Sequence, residues 1–446
     1  MANADFALTT KKLDVGRDII SHVPVIFSDF MASGGYSPLV IADEITWEVA
    51  GRQVQTELDT AGLSPAAPFI FPGTPMLYAD EKAIAKAQDA LSRHPNCRCI
   101  AVGAGSINDI VKAASGALGQ PYMVVATAPS VDGYTSAGAA VSIHGFKQTV
   151  PCPAPVVVVA DTGILSAAPY DMIAAGYADL AAKLPAGADW LVADFFGTHL
   201  LHPAVWDMIQ TPLHAQVRSS AGIAARDPST ISSIFTGLCN TGFAMQRMHD
   251  SRPASGAEHL MSHVWEMDHL EHDGLPVSHG FKVALGTLAS TAFYEEFFAL
   301  GCDALRSRLS AWKKPSWEDR EQEICSWLKG QHNLDDVLRV SREKFPAPSL
   351  WDEMLESLCS KWDSLNDIIR KQLIPFPELR EHFVTAGCPV EPADIGLSRE
   401  EFHKGMHVSG MIRNRFTILD LMFITGVYDE LEEPLMNSGK WFTRFA

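Results

Sequence analysis

The chain has 446 residues, 47% hydrophobic and 20% charged, an ordinary globular composition with length for two or three domains. Its formal net charge of -18 argues against nucleic acid and anionic membrane as partners, since both select clustered Lys and Arg. The longest apolar runs, such as PAPVVVVA, are strand-sized, and the first residues, MANADFALTTKKLDVGRD, hold no apolar signal core, so neither membrane insertion nor secretion is expected.

Residues 1–30 are mixed and give no clear element. The run SPLVIADE from Ser37 predicts a buried strand with an acidic end, followed by a helical pattern through Trp47, Val54 and Leu58. PFIFPGT is a second short strand. DEKAIAKAQDALSRH predicts a helix with Asp80 as its N-cap. CIAVGAGSINDIVKAASGAL reads as strand, glycine turn and helix, and PYMVVATAPS as a strand ending in a polar turn. AAVSIHG and FKQTV alternate like a hairpin, and PAPVVVVAD is a last buried strand. Strands alternating with helices predict a Rossmann-like α/β domain with a mostly parallel sheet over residues 1–161. After Asp161 nearly everything reads as helix, beginning with GILSAAPYDMIAAGYADLAAKL taken as one run, so 162–446 is expected to be an all-α domain. The segment from about Ser307 to Glu400 is expected to be a helical extension packed on that second domain.

The eight cysteines form no repeated framework, and Cys97 and Cys99 are too close for an ordinary bridge, so a reducing cytoplasm is expected. In VGAGSINDIVKAAS, Gly103 and Gly105 allow close backbone approach where a strand meets a helix, whose N-terminus favours phosphate. Asn108 stands where the third glycine of G-x-G-x-x-G would fall, and a simple tight βα turn is the commoner meaning of a lone glycine pair. Asp43 ends its strand and could bind a ribose hydroxyl, which would disfavour a 2′-phosphate. The loop ATAPSVDGYTSAGAAV is dense in hydroxyls, carries Asp132, and lies at a strand's C-terminal end, where open α/β sheets bind ligands.

The run SGAEHLMSHVWEM places His259 and His263 four apart, on one face of a helix. A structural pair is the commoner meaning of that spacing. With His279 in VSHGFKV and Asp179 in GYADLAAK, it becomes an imidazole and carboxylate set suited to an open divalent-metal site.

Together these stretches resemble the metal-dependent, glycerol-dehydrogenase-like branch of the dehydroquinate synthase and iron-type alcohol dehydrogenase superfamily. SRPASGAEHLMSHVWEM, TAPSVDGYTS, GYADLAAK and MIRNRFTILDL are most similar to the sn-glycerol-1-phosphate dehydrogenases, the bacterial AraM-type included. The resemblance runs from about Val40 to about Glu432 and is weak around residues 310–380. It implies a dehydroquinate synthase-like fold, NAD or NADP as cofactor, and one divalent metal (Zn, Ni or Fe) on Asp179, His259 and His279. His263 then matches a position facing substrate or a ligand's neighbour. The family's glycine turn falls on Gly103, Ala104, Gly105, Ser106 and Asp109, with alanine as a small departure. Thr127, Ser130 and Ser136 fall on the cofactor side, and Asp132 where substrate or nicotinamide is met. Lys183, Arg252 and Arg415 are candidates for the substrate phosphate, with Lys183 grouped with the catalytic Asp132 and His263. The implied reaction interconverts dihydroxyacetone phosphate and sn-glycerol 1-phosphate, in a cytoplasmic homo-oligomer. Three alternatives stand beside it: a dehydrogenase of glycerol or another polyol, a sugar-phosphate cyclase, and a non-catalytic dinucleotide-binding protein. The cyclase branch places Glu in an E-x-x-K where this chain has Asp179 and Lys183 at wider spacing.

Overall fold

A computed structural model describes residues 8–143, 146–331 and 333–446. In chain order the strands of interest are β1 (Lys12–Gly16), β2 (Ser37–Asp43), β3 (Phe69–Phe71), β4 (Cys97–Gly103), β5 (Tyr122–Ala126), β6 (Ala139–Ile143), β7 (Phe146–Val150) and β8 (Val157–Asp161). The helices used below are α1 (Glu81–Arg93), α2 (Gly105–Ala117), α3 (Tyr170–Ala181), α4 (Lys183–Phe195), α5 (Pro228–Met248), α6 (Ala257–Met267), α7 (His279–Ala299), α8 (Arg399–Ser409) and α9 (Ile418–Thr425). The chain forms two compact units, Met1–Leu180 with Ala215–Ser251, and Ala181–His214 with Arg252–Ala446.

The first unit holds a six-stranded parallel sheet in the order β1-β8-β5-β4-β2-β3. Its central strands are covered on both faces. Val124, Val125, Val158 and Val159 are all fully buried, which is why these strands read as unbroken apolar runs. One face packs Ile100, Val102, Met123, Val125, Val157 and Val159 against Ile20, Phe27, Val54 and Leu58. The expected N-cap is present: Asp80 accepts the Ala83 N–H at 2.7 Å and starts α1. The expected hairpin is β6 paired antiparallel with β7; His144 and Gly145 lie outside the described residues.

Two readings change. Residues 12–16, where no element was expected, form β1, an edge strand paired with β8 from Lys12↔Val157 to Gly16↔Asp161. Its residues are only partly buried, so it carries no apolar run. The stretch after Asp161, expected as one helix, is broken. A helix Thr162–Ala167 stops at Ala168, which is extended at ψ 157, before Pro169. Proline disfavours the helical conformation of the residue before it and offers no N–H.

The second unit is helical apart from a short antiparallel ribbon of Glu271–His272 with Leu275–Pro276, a small departure from the all-α expectation. It includes Trp317–Trp327, Leu334–Lys344, Pro348–Ser360, Trp362–Gln372 and Phe376–Ala386. As expected, the extension packs on the rest of the unit: Leu260 and Val264 of α6 join Ile324, Leu328, Val337, Val408 and Met411 in one buried cluster. These residues take one face of α6, while His259, His263 and Glu266 share another. The helices α6 and α7 approach closely at Gly286, where a Cβ would lie 2.3 Å from the Glu258 carbonyl oxygen. Among the described residues no helix is long and apolar enough to cross a membrane.

Candidate metal and cofactor site

In the first unit the glycine turn lies between β4 and α2, at the C-terminal end of a central strand. Gly103 ends β4, and a Cβ there would sit 2.5 Å from that of Ile107, so the turn itself demands glycine. Ala104 is the N-cap of α2 and provides no side-chain cap, and the first turn holds no acid. Its leading N–H groups thus face outward from a helix end that favours an anion. Ser106 is exposed here and Asp109 half-buried. Asp43 lies at the end of the neighbouring strand; the register Ile41↔Ala101 carries it alongside Gly103. Its carboxylate caps the following helix, accepting the Thr46 N–H at 2.7 Å through Oδ1.

The hydroxyl-rich loop after β5 is held from several sides. Lys112 of α2 is fully buried, and its Nζ donates to the carbonyls of Gly133 at 2.6 Å and Gly138 at 3.1 Å and to Ser136 Oγ at 3.3 Å. Burial pulls this ammonium below its ordinary range, against the charge of Asp109. Asn108 takes the Tyr122 hydroxyl at 3.0 Å and lies 3.4 Å from the Gly133 carbonyl. Asn108, the residue in place of a third glycine, is therefore a loop anchor. Ser136 is tied within the loop to the Gly133 carbonyl at 3.0 Å. Thr127 and Ser130 are buried, and the Thr127 N–H continues the strand pairing to Gly103. From α3, Gly176 admits the loop at a point where a Cβ would lie 1.6 Å from the Pro129 carbonyl oxygen. One turn further along α3, Asp179 Oδ2 accepts the backbone N–H of Asp132 at 2.9 Å.

The histidines are placed by α6 and α7. The N-terminus of α6 begins at Gly256, which has no side chain to cap it, and Asp189 of α4 caps it from outside through the Ala257 N–H at 2.7 Å. Asp189 also accepts the Ile418 N–H at the start of α9 at 2.7 Å and the Tyr294 hydroxyl at 2.6 Å. Burial raises its carboxyl to about 7, and the neighbouring Glu258 pushes the same way. His279 is the first residue of α7, with Ser278 as N-cap to the Phe281 N–H.

Each imidazole has a carboxylate behind it. His259 Nδ1 lies 2.7 Å from Glu258 Oε1, and His279 Nδ1 lies 3.1 Å from Glu266 Oε1. His263 Nδ1 is 3.4 Å from Glu266 Oε2, and Lys282 Nζ is 3.3 Å from Oε1 of the same carboxylate. Since a carboxylate accepts, Nδ1–H donates, and the far nitrogen keeps its lone pair. Asp179 stands in the last turn of α3. Asp179, His259 and His279 offer ligand atoms that all lie within 4.8 Å of one another. Asp179 and His259 are buried and His279 partly so, and the donor set suits a divalent ion with positions left open. His263 is outside this group. Its side chain keeps 36% exposure, and loss of solvation on its protein side pulls the imidazole down to about 4, against Glu266.

The three phosphate candidates are all engaged with the fold. Lys183 is fully buried at the head of α4. Arg252 is buried with its guanidinium on the Asp189 carbonyl. Arg415 Nη1 donates to the Ser255 carbonyl at 2.7 Å. Reading the sequence missed Lys112, Asp189, Glu258 and Glu266 as parts of this arrangement. Glu266 had a signal: it follows His263 by three residues on the same helix face. Lys112 had a weaker one, a single cation within the apolar run IVKAA.

A parallel α/β unit bearing a glycine turn, with a helical unit bearing histidine donors, defines a class. A family model described as iron-containing alcohol dehydrogenase matches residues 14–169. The solved glycerol dehydrogenase of Schizosaccharomyces pombe has the same fold at a TM-score of 0.58 and 14% identity, covering 99% of this chain and 95% of that one. Sequence relatives narrow the class. The chain is 36% identical over 386 residues to a glycerol-1-phosphate dehydrogenase (NAD(P)+) of Geobacillus thermodenitrificans, covering 85% of each chain. It is 30% identical over 394 residues to that of Geobacillus stearothermophilus, covering 86% of this chain and 87% of that one. The chain belongs to the glycerol-1-phosphate dehydrogenase family, an oxidoreductase family of the iron-containing alcohol dehydrogenase type, as the resemblance implied.

Proposed function

We propose that this chain interconverts dihydroxyacetone phosphate and sn-glycerol 1-phosphate with NAD(H) or NADP(H) and one divalent metal. The observation that carries the reading is the convergence of Asp179, His259 and His279 to within 4.8 Å in a chain whose relatives bear that activity in their names. Residues 1–161 would bind the dinucleotide and 162–446 would supply most of the metal and substrate groups. When bound, the metal polarises a substrate oxygen and the nicotinamide carries the hydride. Zn, Ni and Fe all suit one carboxylate and two imidazoles.

The chain's own residues do the placing. Glu258 and Glu266 orient His259 and His279 from behind. The open N-terminus of α2, with Gly103, Ala104, Gly105 and Ser106, would take the pyrophosphate, and Asp43 a ribose hydroxyl through its second oxygen. Asp109, Thr127, Ser130 and Ser136 would frame the nicotinamide, with Lys112 keeping their loop rigid. Asp132 and His263 are assigned to the substrate side; His263, neutral at working pH, can accept or relay a proton. Lys183, Arg252 and Arg415 remain the cations for the substrate phosphate. We take the protein to be a cytoplasmic homo-oligomer that binds no nucleic acid.

The test is steady-state reduction of dihydroxyacetone phosphate against dihydroxyacetone with NADH and NADPH. A large preference in kcat/KM for the phosphorylated ketone is expected; equal rates would remove the phosphate from the reading. Chelated protein should be inactive and recover on adding Zn²⁺, Ni²⁺ or Fe²⁺.

A further inference from the structure

We propose that Cys302 and Cys359 form a reversible oxidation site, a dithiol that closes to a disulfide under peroxide and reopens under a thiol reductant. The two residues are 57 apart in sequence. Cys302 opens the helix Cys302–Ala311, and Cys359 lies at the end of the helix Pro348–Ser360. The fold brings them together. Cys302 Sγ is 3.3 Å from the Cys359 carbonyl oxygen, so the two cysteines are direct neighbours. Arg306, one turn along from Cys302, holds Nε 3.4 Å from its Sγ, and Nη2 donates to the Cys359 carbonyl at 3.1 Å.

Three features set this pair apart from the other cysteines. Both residues are partly exposed, as are Cys152 and Cys325 but not the buried Cys97, Cys99, Cys239 and Cys388, and of the four exposed ones Cys302 and Cys359 are the two joined by a hydrogen bond. A guanidinium touches one sulfur, and a thiolate is the nucleophile that a nearby cation favours. A second sulfur stands beside the first, which is the arrangement of a sensor with a resolving partner. The Arg306 contact falls on the Cys302 sulfur, which makes Cys302 the attacking group; burial raises the Cys359 thiol.

The chemistry balances with hydrogen peroxide as oxidant. The Cys302 thiolate attacks one peroxide oxygen and the O–O bond breaks. Cys302 becomes a sulfenic acid, and the departing hydroxide takes a proton from solvent to leave as water. Cys359 sulfur then attacks the Cys302 sulfur, the S–O bond breaks, and the leaving hydroxide takes the Cys359 proton as a second water. Two electrons pass from the thiols to the peroxide. A dithiol reductant returns them by thiol–disulfide exchange.

The experiment uses reduced full-length protein treated with hydrogen peroxide, alkylated and digested for mass spectrometry. One peptide pair joined through Cys302 and Cys359 is expected, and it should disappear with dithiothreitol. Cys359→Ser should trap a dimedone-reactive sulfenic acid on Cys302, and Cys302→Ser should form neither adduct nor cross-link. Arg306→Gln should slow oxidation of Cys302 several-fold. Matching melting curves of the reduced variants guard against misfolding. A cross-link through any other pair, no cross-link at all, or independent oxidation of the two sulfurs would overturn the proposal.

Discussion

Glu266 serves both rings that flank it. Its Oε1 lies 3.1 Å from His279 Nδ1, and its Oε2 lies 3.4 Å from His263 Nδ1. Glu266→Gln is expected to lower metal affinity roughly 10- to 100-fold, measured by Zn²⁺ titration; an unchanged affinity would reduce Glu266 to a packing residue. His259→Ala should abolish metal binding, while His263→Ala should keep the metal and lose turnover. Metal loss from the second variant would exchange the two roles. Asp189 gives a pH signature. Its carboxyl sits at about 7 when folded, above an unfolded value of about 4. The folded state therefore holds this proton more tightly, and the group favours folding less and less as pH rises from about 4 to 7. Asp189→Asn cannot titrate, so its stability relative to the parent should rise across that window. Denaturant melts at several pH values would show it, and a flat difference would discard the idea. The proposed metal residues Asp179, His259 and His279 were legible through the resemblance, since the spacing of four alone pairs His259 with His263, which lies outside the group. Glu258 was not, and Glu266 and Lys112 offered only weak signals, because a charged residue on a helix is ordinarily a solvated one, and only tertiary closure buries these.

At the scale of elements, α6 and α7 act as a pair. Gly286 lets them approach until a Cβ would stand 2.3 Å from the Glu258 carbonyl oxygen. One helix carries His259 and the other His279. Gly286→Ala should cost about 1–3 kcal/mol from overpacking and weaken metal binding without touching a ligand. Parallel thermal melts and metal titrations test this; lost stability with metal affinity intact would mean the helices yield elsewhere. Most elements were legible for one physical reason. Strands buried on both faces must be apolar throughout, so β4, β5 and β8 announce themselves. The edge strand β1 has no such obligation, and its residues KLDVG look like loop. The Ala-rich run after Asp161 concealed two breaks, one before Pro169 and one at Ala182, where no proline marks it.

At the scale of the whole chain, the backbone passes between the two units at 180/181, 214/215 and 251/252. Asp179 lies just before the first passage, and α6 begins shortly after the last. The Asp132 N–H bond to Asp179 Oδ2 has a thermodynamic consequence. The loop proposed to frame the nicotinamide also steadies the carboxylate proposed to hold the metal. Ordering that loop with a dinucleotide prearranges the ligand, and ordering the ligand with an ion prearranges the loop. Linkage then requires each to raise the other's affinity by one and the same factor, roughly fivefold or more for a typical effect of this kind. Titrating Zn²⁺ with and without NAD(H), and NAD(H) with and without Zn²⁺, should return equal ratios above one. A ratio of one would mean that the two sites fill independently.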